Sequence, residues 1–234
     1  DVNRVKYLFL PIISLVAPVL LVVSQPDLGT SILIAAGGAG VIWLAGVRIK
    51  FFAYLAIIFI SVLPIAISFL KPYQKVRILT FLNPESDPLG AGYQIIQSKI
   101  AIGSGGIEGK GWLQGTQSQL EFLPERHTDF IFSVLSEEFG LFGVCLLLCM
   151  YLFIIGRGLY IAVNAQDAFG KLLAGALTLT FFVYVFVNIA MVLGLLPIVG
   201  APLPIMSYGG SSMLSIMMGL GIVMSCKVYK NAPD

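Results

Sequence analysis

Long apolar runs separated by short polar segments dominate this sequence. A helix that crosses a bilayer core of about 30 Å needs about 20 predominantly apolar residues, and runs of roughly that length recur along the chain. The pattern therefore predicts an all-α polytopic membrane protein in which residues 1–234 form a single integral membrane domain. The six predicted transmembrane helices cover residues 7–24, 29–47, 51–70, 130–155, 171–196 and 204–225.

Composition supports a membrane protein and argues against other classes. Hydrophobic residues make up 58% of the chain and charged residues 11%, and the mean hydropathy is +0.94. Soluble domains carry about 25% charged residues. The net charge of +2 gives no indication of a nucleic-acid partner. Cys145, Cys149 and Cys226 lie inside predicted helices, where we interpret them as small apolar side chains rather than metal ligands.

The distribution of basic residues predicts the orientation in the membrane. Short cytoplasmic loops carry an excess of Lys and Arg, whereas long loops are poor indicators. Residues 25–29 and 197–203 contain no basic residue, and six spans place the basic residues outside 71–129 on the opposite side. Both termini are therefore expected in the cytoplasm, and residues 71–129 are expected to form an extracytoplasmic loop. The basic residues that carry this prediction are Arg4, Lys6, Arg48, Lys50, Arg157, Lys171, Lys227 and Lys230.

The long loop contains its own predicted helix, over residues 93–102, which is amphipathic and suits an interfacial or re-entrant position. Its apolar face is expected to contain Tyr93, Ile96 and Ile100, and its polar face Gln94, Gln97 and Ser98. Gly103 to Gly106 are expected to end this helix. The glycine-rich residues 103–111 lack the spacing of nucleotide-binding loops, so we interpret them as a flexible or hinge-like loop beside a cavity.

Two other connections carry turn and breaker residues. Asp27 or Thr30 is predicted to cap the second helix, which holds the small residues Gly37, Gly38 and Gly40 that permit close helix approach. The connection between the last two helices, about residues 197–210, contains three prolines and is predicted to be broken and non-helical. Such backbone is tolerated at membrane depth where it is buried in protein or lines a polar cavity.

A dense cluster of ionisable residues precedes the fourth predicted helix. It comprises Glu125, Arg126, His127 and Asp129, and His127 is the only histidine of the chain. Charged groups at a membrane helix are costly, so the cluster is the first candidate for a functional site. Asp129 is also well placed to cap the helix, and both roles stay open. Residues four, seven and eleven positions later, Ser133, Ser136 and Gly140, share one helix face, which predicts a polar groove below Asp129.

Other polar residues each have a structural alternative. Glu137 and Glu138 need a partner or water at their depth, and packing roles are at least as plausible as chemistry. Asn188 is interpreted as hydrogen-bonding glue between helices. Arg126, Lys99 and Lys110 are suited either to a phosphate-bearing ligand or to anchoring at the interface. A lone histidine cannot form a histidine-rich zinc site.

Several stretches together resemble the SEDS membrane proteins of bacterial cell-wall synthesis, and the RodA branch more than the FtsW branch. The stretches are QPDLGTS at 25–31, NPESDPLGAGYQIIQSKIAIGSGG at 83–106, GKGW at 109–112, GTQSQLEFLPERHTDFIFSVLSEE at 115–138 and PLPIMSYGGSS at 202–212. The resemblance implies a fold of ten helices, of which this chain is similar to the last six. The chain begins at Asp1 without a methionine, so we expect it to be part of a longer protein that contains the first four helices.

The resemblance implies peptidoglycan glycosyltransfer from lipid II, with Asp129 at the position of the family's essential aspartate. Class B penicillin-binding proteins and the elongation machinery are the implied partners in the bacterial inner membrane. Mg²⁺ or Mn²⁺ is a candidate cofactor, although no cofactor is required by the sequence. The residues expected to contact substrate are Arg126, Lys99, Glu125, His127, Gln119, Lys110 and Ser207.

Two alternatives remain. Broken helices and buried carboxylates also occur in transporters, so a flippase for a lipid-linked precursor is possible in principle. An inverted repeat with paired interrupted helices would favour a flippase. The sequence shows only one such interruption, at about residues 197–210. A non-catalytic scaffold of the elongation complex would tolerate loss of Asp129.

Overall fold

The computed structural model describes residues 5–25, 27–57, 61, 75, 79–81, 83, 90–120 and 122–228, and within them the regular secondary structure is helical. The predicted all-α class is therefore confirmed. Residues 49–57 are helical and belong to the third predicted span, whose remainder lies almost wholly outside the described residues. The other helices are α1 (Val5–Ser24), α2 (Leu28–Leu44), α3 (Ala91–Gly105), α4 (Thr116–Gln119), α5 (Ile131–Asn164), α6 (Ala168–Val192) and α7 (Gly210–Val228).

Three helices in the described part of the chain are long and apolar enough to cross a membrane. They are α5, α6 and residues Gly210–Lys227 of α7. Shorter apolar helices run over Leu8–Ser24 in α1 and Gly29–Leu44 in α2. These five helices coincide with five of the six predicted spans, and the chain is a membrane protein.

The bounds of several predicted spans differ from the structure; the second, for example, ends at Leu44 rather than at 47. The fifth span ends at Val192 rather than at 196, because Gly194 adopts a φ of +70° that turns the chain out of the helix. The sixth begins at Gly210 rather than at 204, since the proline-rich residues before it are non-helical, as predicted for the connection itself. The fourth continues past 155 to Asn164.

Helix α6 lies at the centre of the bundle and packs against α2, α5 and α7, while α1 packs on α2. Small residues allow two of these approaches. A Cβ added to Gly40 would overlap the side chain of Leu179 on α6, and one added to Gly38 would overlap Leu15 on α1. The predicted role of these glycines in close helix packing is confirmed.

Helix α3 confirms the predicted helix over 93–102, but the assignment of its faces was wrong. The buried face contains Ile95, Ser98 and Ala101, whereas Ile100 is exposed. Ser98, expected on the polar face, donates a hydrogen bond of 2.5 Å to the carbonyl of Val192 at the end of α6. Because its hydroxyl has a backbone partner, Ser98 can be buried, and the face that was predicted to be polar lies against the rest of the protein.

The glycine-rich segment ends α3, as predicted, but the residues after the helix pack on another helix through backbone hydrogen bonds. Helix α3 continues to Gly105, and residues 106–111, here called the docked loop, pack on a break in α5 at Gly140. There the N–H groups of Lys110 and Gly111 donate to the carbonyls of Glu137 and Glu138, at 3.0 Å each. The N–H groups of Leu141 and Phe142 donate back to the docked loop, to the carbonyls of Gly106 and Ile107.

This packing also explains why the predicted polar groove below Asp129 is wrong. Ser133, Ser136 and Gly140 are all buried, and both serine hydroxyls donate to carbonyls of their own helix. A Cβ added to Gly105 would overlap the carbonyl of Ser136, so α3 lies directly on this face. The stripe is a packing surface rather than a channel.

Candidate active site

Three connections meet at one end of the bundle. They are the start of α2, the turn before α5 and the loop between α6 and α7. Asp27 caps α2 by accepting hydrogen bonds from the N–H and the hydroxyl of Thr30, which confirms the first of the two predicted caps. A Cβ added to Gly29 would overlap the carbonyl of Val199, so the start of α2 packs tightly on the α6–α7 loop.

The turn that carries Asp129, residues 124–130, is closed by its own backbone. The N–H groups of Thr128 and Phe130 both donate to the carbonyl of Glu125 at 3.2 Å, and the Thr128 hydroxyl donates to the Glu125 carboxylate at 2.7 Å. Helix α5 then starts after Phe130 with no side-chain cap. Asp129 therefore does not cap the helix, and its carboxylate is left for another role.

Helix α6 and the α6–α7 loop, residues 193–209, donate hydrogen bonds to three consecutive carbonyl groups of this turn. The His127 carbonyl accepts from the Tyr208 N–H at 2.8 Å, and the Thr128 carbonyl from the Ser207 hydroxyl at 2.6 Å. The Asp129 carbonyl accepts from the amide nitrogen of Asn188, on α6, at 2.8 Å. Because all these bonds go to the backbone, they fix the turn without using the Asp129 side chain.

The Asp129 carboxyl is half-buried beside Gly200, where an added Cβ would lie 3.6 Å from Oδ2. Burial raises the pKa of this carboxyl above its ordinary value, and the charge of Glu125 raises the pKa further. No hydrogen bond from the described residues offsets this effect. A carboxylate with a raised pKa is a stronger proton acceptor, which suits a general base.

Arg126 and His127 precede Asp129 in the chain and contact each other. The Arg126 Nε donates to the His127 Nε2 at 3.1 Å, and an Arg126 guanidinium N–H donates to the carbonyl of Ser118, at the end of α4. The histidine is exposed and faces an open groove of about 680 Å³. Other residues that line this groove include Ile131, Met206, Ser207, Tyr208 and Met213.

The remaining predicted substrate contacts lie in different surroundings. Lys110 forms an ion pair with the fully buried Glu137, with Nζ and Oε1 2.7 Å apart. Lys99 is exposed on α3, with its ammonium end beside Gly194. Gln119 is exposed at the end of α4, and Ser207 is buried. The substrate role of all seven residues stays a prediction.

Asn188 was missed as a site residue. It was predicted to join helices, but its amide nitrogen donates to backbone carbonyls of two connections, those of Asp129 at 2.8 Å and Ala201 at 2.6 Å. Its position in mid-helix was the only signal available from the sequence, and that signal could not identify its partners.

The described residues contain no cluster of three or more histidine, cysteine, aspartate or glutamate side chains suited to a metal ion. Asp129 and Glu125 interact electrostatically, so two carboxylates share this turn. Mg²⁺ is commonly bound by one or two carboxylates together with substrate phosphates and water. These two residues fit that mode of binding only with a substrate present.

The chain is similar to a family of bacterial cell cycle proteins and to a peptidoglycan glycosyltransferase. Residues 2–232 match the family model of FtsW, RodA and SpoVE, described as a cell cycle protein. The chain is 58% identical over 214 residues to the peptidoglycan glycosyltransferase MrdB of Escherichia coli strain K12. The matched region covers 91% of this chain and 58% of that protein. The chain thus spans less than two thirds of this relative.

Two solved structures have the same fold. One is a chain from a peptidoglycan synthase complex that coordinates polymerization and crosslinking, with 35% identity and a TM-score of 0.73, covering 98% of this chain and 63% of that chain. The other is a mutant of the rod shape determining protein RodA of Thermus thermophilus, with 25% identity and a TM-score of 0.66. It covers 98% of this chain and 59% of the Thermus chain.

Proposed function

We propose, on the premise that the chain belongs to the FtsW, RodA and SpoVE family of cell cycle proteins, that the protein is a peptidoglycan glycosyltransferase that polymerises lipid II for cell-wall elongation. The observation that carries the proposal is the half-buried Asp129 carboxyl, which has a raised pKa and is not used as a helix cap. The name of the Escherichia coli relative supports the same activity.

In the proposed reaction, Asp129 is the general base. Its carboxylate takes the proton of the 4-hydroxyl on the acceptor sugar, while that oxygen forms a bond to the anomeric carbon of the donor. The bond from this carbon to the pyrophosphate breaks, undecaprenyl pyrophosphate leaves with the electron pair, and the configuration inverts to a β-1,4 linkage. General base catalysis contributes about 10²- to 10⁴-fold in rate.

Arg126 is the proposed cation for the leaving pyrophosphate. Its guanidinium is planar and always charged, which suits phosphate groups, and its contacts with Ser118 and His127 fix its direction. Lys99, Glu125, His127 and Gln119 stay candidate substrate contacts. A divalent cation held by the pyrophosphate and water would supply further charge for the leaving group and would leave the Asp129 carboxylate free to act as the base.

The proposed setting is the bacterial inner membrane, with both termini in the cytoplasm and the Asp129 turn on the outer side. The basic residues at the opposite ends of the spans support this orientation. A class B penicillin-binding protein is the proposed partner, because one of the structural relatives is part of a peptidoglycan synthase complex.

The test compares Asp129→Asn with Asp167→Asn in the natural gene product that contains these residues, purified in detergent and supplied with lipid II. Asp167 caps α6 through the Gly170 N–H, and asparagine caps equally well, so this control makes the same chemical change away from the site. We expect the first variant to lose at least about 100-fold in polymerisation and the control to retain full activity.

Full polymerisation by Asp129→Asn at a normal protein level would remove Asp129 from the base role. Detergent has no second compartment, so polymerisation there also separates the enzyme from a flippase. A scaffold would show no polymerisation at all while still binding its partner.

A further inference from the structure

Asn188 has an arrangement that fixes the direction of its side chain. Both partners of its amide group are carbonyl oxygens, those of Asp129 and Ala201, so the nitrogen must face them. The residue is fully buried, and its Oδ1 has no hydrogen-bond partner among the described residues. A buried amide with an unpaired oxygen destabilises a fold, so stability alone does not explain this side chain.

The two carbonyls that Asn188 contacts belong to two segments that meet at the Asp129 carboxyl. One belongs to Asp129 itself, and the other to Ala201, which follows Gly200 in the α6–α7 loop. Gly200 is the residue beside Oδ2 of Asp129. A single side chain on a rigid helix therefore sets both the backbone position of the carboxyl and the distance to the loop that faces it.

We propose that Asn188 is a positioning residue for the Asp129 carboxylate and that Ser207 is a second one acting on the same turn. This inference rests on the proposed function, in which Asp129 is the base. A misplacement of about 1 Å costs about 100-fold in rate, so residues that fix a catalytic group through its backbone have measurable effects without contacting substrate.

Ser207 supplies the second contact through a hydroxyl that is fully engaged. It donates to the Thr128 carbonyl at 2.6 Å and accepts from the Leu203 N–H at 2.7 Å. The residue is buried, and these bonds use its only proton. Ser207 was predicted to contact substrate, and this geometry assigns it to the positioning of the turn instead.

The first experiment measures turnover, KM and pH dependence for Asn188→Leu in the natural gene product. Leucine keeps the number of non-hydrogen atoms and the branch at Cγ but removes both donors. We expect turnover per folded molecule to fall by about 10- to 100-fold with little change in KM for lipid II. We also expect the acid limb of the profile to move to lower pH, because a released turn admits water to Asp129 and the pKa of that carboxyl then falls.

The control is Asn164→Leu. Asn164 also donates to a backbone carbonyl, that of Tyr160, but at the far end of α5. Turnover and the pH profile should stay unchanged in this variant. A purely structural role for Asn188 would lower the protein level and the unfolding temperature while leaving turnover per folded molecule and the acid limb unaltered, and that result would overturn the proposal.

A double variant separates this inference from the proposed function. If Asn188 acts through Asp129, Asp129→Asn with Asn188→Leu loses no more activity than Asp129→Asn alone. Additive losses would show that Asn188 acts by another route, with Asp129 still the base. Full activity of Asp129→Asn alone would instead contradict the proposed function.

Ser207 gives the test a second route if Asn188→Leu does not fold. We expect Ser207→Ala to lower turnover with little change in KM, and Ser207→Thr, which keeps the hydroxyl, to recover most of it. Equal activity of the alanine and wild-type proteins would remove Ser207 from the positioning role. Ser104→Ala is the matched control, since Ser104 donates within α3 to the Ala101 carbonyl.

Discussion

Two carboxylates near the start of α5 have opposite surroundings. Glu137 is fully buried and receives hydrogen bonds from Lys110, from the Thr116 hydroxyl and from the N–H groups of Gln117 and Ser118. Asp129 is half-buried, and no described residue donates to its carboxyl. The residues packed around Glu137 donate hydrogen bonds to its carboxylate. The residues packed around the Asp129 turn donate only to its backbone carbonyls.

The difference separates a structural acid from a reactive one. A buried charge is tolerated when a cation and hydrogen bonds compensate it, and Glu137 has both. Because Glu137 is fully buried among these partners, its oxygens are not accessible to a substrate. Asp129 has its backbone fastened and its oxygens free, which is the arrangement that a base requires. Substitutions at the two sites should therefore affect different properties.

Changing the length of each acidic side chain by one methylene group should give the largest difference between the two sites. We expect Asp129→Glu to lower turnover by about 100-fold, because the base remains but its oxygens are displaced by about 1 Å or more. The unfolding temperature should stay close to wild type. Glu137→Asp should do the reverse, with a lower unfolding temperature and normal turnover per folded molecule. Polymerisation of lipid II and thermal unfolding in detergent measure the two properties.

Neutralising Glu137 should destabilise the protein without removing activity. Hydrogen bonds to charged groups contribute about 1.5–3 kcal/mol each, and Lys110 is partly exposed and can be rehydrated, so we expect Glu137→Gln to cost about 2–3 kcal/mol. Combining it with Lys110→Met should cost less than the sum of the single changes, since the pair interacts directly. Loss of turnover at full stability would instead make Glu137 part of the reaction.

The break at Gly140 allows a smaller test on the same helix. Gly140 has a φ of +61°, and an added Cβ would overlap the Gly109 N–H. Gly140→Ala should therefore cost about 1–3 kcal/mol through strain and displacement of the docked loop. Gly156→Ala is the control, because nothing lies near its added Cβ and alanine favours a helix by up to about 1 kcal/mol. Equal unfolding temperatures in the two variants would contradict the docking.

The sequence predicted the features that depend on the spacing and the length of the apolar runs. Runs of about 20 apolar residues identified five of the described helices, because spanning a bilayer requires that length whatever the tertiary contacts. The cost of charge beside a membrane helix indicated the cluster of Glu125, Arg126, His127 and Asp129, and the resemblance to the SEDS proteins singled out Asp129 within it. Neither argument depends on which segments meet.

Apart from the bounds of the spans, which depend on local turn residues, the errors concern partners distant in sequence. Ser98 was placed on a polar face because its acceptor, the Val192 carbonyl, lies 94 residues away. Residues 106–111 looked flexible because their hydrogen-bond partners are on α5. Asn188 was interpreted as a link between helices, since no local pattern shows that it contacts the Asp129 and Ala201 carbonyls. Buried polar groups need partners, but the sequence alone does not name them.

Glu125 provides the smallest and most specific test of the comparison. Its negative charge raises the pKa of Asp129, whereas Glu137 has a lysine beside it. Glu125→Gln removes that charge and should lower the pKa of Asp129, so the acid limb of kcat/KM should move to lower pH. The movement should be partial, because burial, the larger cause, remains. Glu108→Gln, a change of the same kind in the exposed docked loop, should leave the limb in place. An acid limb that moves to higher pH in Glu125→Gln would mean that the titrating group is not a carboxylate repelled by Glu125, and Asp129 would then lose its distinction from Glu137.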